Sequence, residues 1–411
     1  MINDPLAGLD DVPWARLRHS YGKADDVPGH LRAMRAGDSG GHYPPSVLLA
    51  NHIVHQGTRS QAALYTVPFL VRMALDSRLA DRHRFVGLLV AIAIGLDNNH
   101  LPDGYDPRED RDALETMRGE ADERARWIAE AADDEQRRWR EEVDEQLLID
   151  AEAVVLCYDA VREALPALAV LLTSDVPELR AGTANLFAWF PESAATSIPL
   201  LTEFVAREAE AEAEASPGAA ATGLVALGLL GDPAVVPFLE GHLGSPVVEL
   251  RWAAAFALTR LGVAGAAVVD VLVETVARPP EKTETMSFLS GSYAALAVMA
   301  LAGTPEAATP RAIDAVLAGL ADCVDDRERS GDRYYLAHRL FTTAFPDERV
   351  GPFEPPQSFG ELSDVQQRVV RFLAEHRDLS WPYGGTDALR RWKVPTGHAE
   401  LRAYIGGAQA G

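Results

Sequence analysis

A four-residue signature, apolar-Pro-x-Leu, returns along this chain and constrains its fold more than any other feature. Leu165-Pro166-Ala167-Leu168, Ile198-Pro199-Leu200-Leu201 and Val236-Pro237-Phe238-Leu239 follow one another at intervals of 33 and 38 residues, and Val67-Pro68-Phe69-Leu70 has the same form. Proline suits the first turn of a helix, where its missing N–H would be unpaired in any case, and it disfavours helix in the residue before it. The spacing therefore predicts a helix starting at each proline. A companion segment recurs as well: SDVPELRAGTANLFAWF from Ser174 is echoed 71 residues on by SPVVELRWAAAFALTRLG from Ser245. Both place small and apolar residues at helical spacing, and Gly231, Gly262 and Gly303 stand where left-handed closing residues belong. One such helix pair cannot bury its apolar face alone, so successive pairs must stack around a shared core. The expected fold is all-α, an α-solenoid of stacked helix pairs.

With 411 residues, 47% of them apolar, the chain can bury a large core. Cys157 and Cys323 are its only cysteines, too few for a disulfide framework or a four-cysteine zinc site, and they fit a reducing compartment. The acidic start MINDPLAGLDD lacks the basic-then-apolar order of a secretion signal, and the apolar run Phe85 to Leu96 is too short to span a bilayer. A cytoplasmic protein without membrane contact is expected. The pattern divides it into helical repeats over 1–96, an acidic helical insertion over 97–146, further repeats over 147–325 and a helical cap over 326–411.

Net charge is −23, from 61 acids against 38 bases, which repels phosphate backbones and makes nucleic acid an improbable partner. The acid is concentrated: residues 102–146 hold 17 acids and 8 arginines, and Glu208 to Glu214 adds the run EAEAEAE. A solvated helix face explains such runs without any partner, and recognition of a basic protein is the functional alternative.

SPVVELRWAAAFALTRLG, with its Ser-Pro start, its arginine, its A-x-x-A spacing and its closing glycine, resembles the HEAT and HEAT-like (phycobilisome-lyase type) repeats. SDVPELRAGTANLFAWF resembles them too, although Phe190-Pro191 stands where the glycine is expected. The likeness is clearest from Leu165 to Leu320. WARLRHSYGKADDVPGHL from Trp14, NHIVHQGTRSQAALYTVPFL from Asn51 and DALRRWKVPTGHAELRAYIG from Asp387 also look like segments of uncharacterised bacterial HEAT-repeat proteins. The resemblance implies an armadillo-like superhelix and brings no reaction with it.

Candidate site residues are dispersed. On a helix from Pro45 to Gln56, His52 and His55 would lie together opposite the apolar side, with Gly57 as the stop and Thr58 to Gln61 as a capping box for the next helix. Two histidines bind a metal only with further ligands, and no carboxylate stands nearby at His-Glu-x-x-His spacing, so neither metal nor cofactor is expected. Packing against Trp14 or Tyr21, or a place on a partner surface, suits the pair better. His19 and Tyr21 are read as sealing the open end of the first helix pair. Leu101 and Pro102 rule out an EF-hand in the loop from Gly95 to Asp110, and Arg180 and Arg251 are expected to bond a neighbouring acid or helix end. Arg72, Glu203, Glu240 and His242, with the histidine pair, are the expected lining of a groove.

Glycine-loop and nucleophile-elbow motifs are absent, and no particular pair of acids stands out as general acid and base. The expected function is non-catalytic binding of a basic protein through a concave face, for example as an inhibitor of a basic nuclease. The alternative is a dispersed groove site like those of bilin lyases or HEAT-like DNA glycosylases, the latter requiring a basic groove.

Overall fold

The computed structural model describes residues 4–37, 43–210, 217–323, 330–346, 358–376 and 385–406. Most of the glutamate run and Trp381-Pro382-Tyr383-Gly384 lie outside the described residues. The regular structure described is helical apart from two short hairpins, so the all-α expectation holds. No described helix is long and apolar enough to cross a membrane.

The chain forms two compact units, Met1–Gly231 and Asp232–Gly411. The first begins with a hairpin of β1 (Arg18–His19) and β2 (Gly22–Lys23), then α1 (Val27–Arg35) and α2 (Pro45–Ile53). A second hairpin, β3 (Val54–His55) and β4 (Thr58–Arg59), leads into α3 (Gln61–Leu75) and α4 (Arg82–Ile94). The acidic segment folds as α5 (Pro107–Gly119), α6 (Ala121–Ala129) and the start of α7 (Asp134–Leu168), which runs for 35 residues across the expected boundary at 146. After α7 come α8 (Pro177–Phe187), α9 (Ala194–Glu210) and α10 (Pro217–Leu229). Within this unit α8 packs between α4 and α10, and α3 packs on both α4 and α7. Every residue of α10 from Gly218 to Leu229 is buried, because a helix with no polar face must be enclosed.

The second unit comprises α11 (Val236–His242), α12 (Val248–Arg260), α13 (Ala266–Ala277), α14 (Tyr293–Ala302), α15 (Pro310–Cys323), α16 (Ser330–Ala344), α17 (Asp364–Glu375), α18 (Gly385–Arg391) and α19 (His398–Gly406). Here α12, α14 and α16 touch in succession, as do α13, α15 and α17, and each row packs on the other. Alanine and glycine permit this proximity: a Cβ on Gly319 of α15 would run into the Val276 carbonyl of α13. The echo between Ser174 and Ser245 is also structural. The Nη1 of Arg180 donates to the Ser174 carbonyl at 2.8 Å, and that of Arg251 to the Ser245 carbonyl at 2.7 Å.

Several local expectations change. Pro68, Pro166 and Pro199 lie inside α3, α7 and α9 instead of starting helices, and Pro237 alone of the four sits in a first turn. An interior proline forfeits a backbone hydrogen bond, but flanking side chains such as Phe69, Leu70, Leu165 and Leu201 are buried and hold the helix past it. Gly231 and Gly262 are left-handed as expected, at φ 76° and 79°, whereas Gly303 closes α14 at φ −79°. The capping box at Ser363 is formed. The one expected at Thr58 is not, because Thr58 pairs in a strand and Ser60 precedes α3 without a side-chain cap.

Candidate functional site

The clearest gathering of reactive side chains lies at the start of the first unit. Helix α2 ends at Ile53, not Gln56, because Gln56 and Gly57 take φ of 51° and 89° and close a two-residue hairpin between Val54-His55 and Thr58-Arg59. Two successive positive φ values match the twist of such a hairpin. His55 therefore sits on a strand, and Gly57 is a turn residue, not a helix stop. Gly95 must be glycine for the same turn to approach, since a Cβ there would lie 2.5 Å from the Gly57 carbonyl oxygen.

The end of α2 also places the first hairpin. The Ser20 N–H donates to the His52 carbonyl at 3.0 Å, satisfying an otherwise open helix-end acceptor and laying the β1–β2 turn over His52. His19 then stacks on His52 with ring centroids 4.7 Å apart, and Tyr21 lies 5.3 Å from the same ring. His30 of α1 meets His52 edge-on at 5.1 Å, and the Tyr21 hydroxyl lies 3.2 Å from His55 Nδ1. Packing of the pair against Tyr21 is thus as expected, while Trp14 turns to Leu9 and Phe69.

Asp26, just before α1, is the centre of the group. It occupies the capping position, yet its carboxylate caps nothing and faces the imidazoles. His19 Nε2 lies 2.9 Å from one carboxylate oxygen; His52 Nδ1 and His30 Nε2 lie 2.9 and 3.7 Å from the other. The ligand atoms of His19, Asp26 and His52 all fall within 4.8 Å of one another. His19 Nδ1 accepts the Tyr21 N–H at 3.0 Å, which puts the proton of the neutral ring on Nε2, where it donates to Asp26. His52 Nδ1 and His30 Nε2 are closed to solvent and make no aligned hydrogen bond. Burial pushes the Asp26 carboxyl up, but the His19 hydrogen bond and the three imidazoles outweigh it and hold it below 3.8. Burial depresses His52 below 6.5 against the pull of Asp26. The missing carboxylate of the sequence reading is therefore Asp26, 26 residues upstream of His52.

The other expected groove residues do not join this cluster. Arg72 is spent on the Ala7 and Pro68 carbonyls and lies over Phe69. Glu203 is exposed on α9, Glu240 is exposed on α11, and His242 packs against Phe238 with its pKa lowered by burial. A groove of about 540 Å³ between α3 and α7 is lined by apolar side chains and Glu163. Cys157 is fully buried, and burial raises its thiol to about 12.

A second feature is the acidic arm of α5, α6 and the first half of α7. Helices α5 and α6 pack on α7, yet no residue of α6, and none of α7 before Ala153, is fully buried. Arg118 pairs with Glu152 and Arg124 with Asp144, both at 2.6 Å. Asp112, Glu115, Glu123, Glu141 and Glu145 are left facing solvent. Among them Trp139 is 57% exposed, set edge-on to Trp127, which in turn lies under the Arg140 guanidinium at 4.9 Å.

No family model matches this chain, and no curated protein matches it either. Among solved structures it is similar to an engineered protein, aligned over 92% of this chain and 89% of that one at 17% identity with a TM-score of 0.30. At that score the likeness says nothing about function.

Proposed function

We propose that this chain is a non-catalytic protein-binding scaffold, an α-solenoid of stacked helix pairs whose acidic arm docks a basic protein. The observation that carries the reading is Trp139, a large aromatic left in water on an arm rich in acid. Tryptophan within a charged rim is the composition of a binding hot spot. Covering the exposed part of that ring would contribute roughly 2–3 kcal/mol, and the surrounding carboxylates would steer a cationic partner toward it. The arm takes the place of the concave groove in this reading, because Arg72 is already engaged by backbone carbonyls.

Affinity capture from the native cell lysate with the full chain and its Trp139→Ala variant tests the proposal. A basic protein retained by the parent chain, lost with the variant and eluted by salt supports it. A neutral or acidic partner, or one retained equally by both chains, refutes it.

A further inference from the structure

Independently of the acidic arm, we propose that His19, Asp26 and His52 form a binding site for a divalent transition-metal ion of the zinc class. Among the described residues these three alone bring histidine, cysteine or acid ligand atoms all within 4.8 Å of one another. Each histidine faces its own oxygen of the carboxylate, His19 Nε2 and His52 Nδ1 both at 2.9 Å, and the two rings stack with centroids 4.7 Å apart. Drawing the ligand atoms to the edge of about 3.3 Å set by a tetrahedral ion with bonds of about 2.0 Å takes shifts of at most about 1.5 Å. Two imidazoles and a carboxylate suit zinc, cobalt or nickel, and do not suit calcium or magnesium, which take oxygen. His30 is not a ligand. Its Nε2 lies 3.7 Å from Asp26 and outside the mutual reach of the other three, while its ring meets His52 edge-on and holds that ring in place.

Binding exchanges one hydrogen bond. Without the ion, His19 carries its proton on Nε2, because Nδ1 accepts the Tyr21 N–H at 3.0 Å. An ion on Nε2 moves that ring proton to Nδ1, and the Tyr21 N–H must find another acceptor. Tyr21 stands in the β1–β2 turn and is 63% exposed, so water takes the place of His19. The rest of the frame stays, since the Ser20 N–H on the His52 carbonyl keeps the turn against the end of α2. The ligands come from the end of β1, the residue before α1 and the last turn of α2, so the ion ties the hairpin to two helices. The Asp26 side chain is 41% exposed, which leaves an open side where the ion enters and water completes its coordination.

The test uses the full chain without an affinity tag, stripped of metal by a chelator and titrated with cobalt(II), followed by displacement with zinc. The parent chain should take up one cobalt with the intense visible absorption of tetrahedral coordination, and zinc should abolish it. In a chain carrying isotope-labelled tyrosine, the Tyr21 amide resonance should move with the first equivalent of zinc. His19→Ala, Asp26→Asn and His52→Ala should each weaken binding at least about a hundredfold, and His30→Phe, which keeps a ring against His52, by no more than about tenfold. His55→Ala should bind as the parent does. Circular dichroism of each metal-free variant must match the parent, so that loss of binding is not loss of fold. Absence of saturable tetrahedral absorption in the parent overturns the proposal without any variant. Binding indifferent to His19 or His52 overturns it too, as does loss at His30→Phe or His55→Ala equal to that at His52→Ala. A Tyr21 amide that zinc leaves unmoved removes His19 from the ligands, and the site with it.

Discussion

Glu208 belongs to a run that reads as solvated acid, yet it is 5% exposed and grips Arg180 with two bonds, at 2.8 and 2.9 Å. The pair ties the end of α9 to α8. Glu208→Gln keeps the shape but removes the charge and turns an amide N–H₂ toward the guanidinium. Arg180, itself only 14% exposed, would then keep its bond to the Ser174 carbonyl and lose its countercharge. Breaking one side of a buried pair costs about 3 kcal/mol or more. For a unit of this size that lowers the melting transition by roughly 6–12 °C. Replacing both partners by apolar residues, Arg180→Met with Glu208→Leu, should recover most of the loss, short of about 1 kcal/mol for the Ser174 bond. Urea unfolding of the single and double variants measures this. A single variant within about 1 kcal/mol of the parent, or a double variant no better than the single, would refute the reasoning.

Gly319→Ala should destabilise the second unit by about 1–3 kcal/mol, seen as a shifted thermal transition, because the added methyl meets the Val276 carbonyl. Cys157, buried with its thiol raised to about 12, should resist alkylation in the folded chain at mildly alkaline pH and react once urea unfolds it. His100 should titrate by NMR below 6.5, since burial outweighs its bond to the Ile94 carbonyl. A histidine with a depressed folded pKa stabilises fully above 6.5 and loses that stabilisation as pH falls toward the folded value, so His100→Gln should flatten the decline of stability below neutrality. Trp139→Ala should leave the unfolding free energy within about 0.5 kcal/mol of the parent, as a side chain this exposed contributes little to the fold.

The all-α class and helices α8 and α12 were legible because the 71-residue echo places small and apolar residues at helical spacing, and Gly231 and Gly303 marked the ends of α10 and α14. Arg180 and Arg251 were legible as equivalents from the 71-residue echo, although the glutamate that completes the first was masked by its acidic neighbours. The second hairpin was missed: Val54 and His55 continue a helical pattern, and only Gln56-Gly57, a dipeptide suited to two positive φ values, signalled the turn. Asp26 was missed for a different reason. Its place before Val27-Pro28 marks a helix start, but its meeting with His52 depends on a backbone bond from Ser20 to the end of α2, which no local pattern encodes. The acidity of the arm was plain in composition. The continuity of α7 across residue 146 was not, because its first half buries no face that would reveal its period.

The acidic arm should be only lightly anchored to the buried helices of its own unit, and hydrogen exchange of the full chain, read by mass spectrometry, tests this most directly. Amides of α8, α10, α12 and α14 are expected to exchange slowest, and those of α5, α6 and the part of α7 before Ala153 markedly faster. Equal protection of the arm and of α8 and α10 would show it to be part of the core, and would contradict its reading as a docking surface.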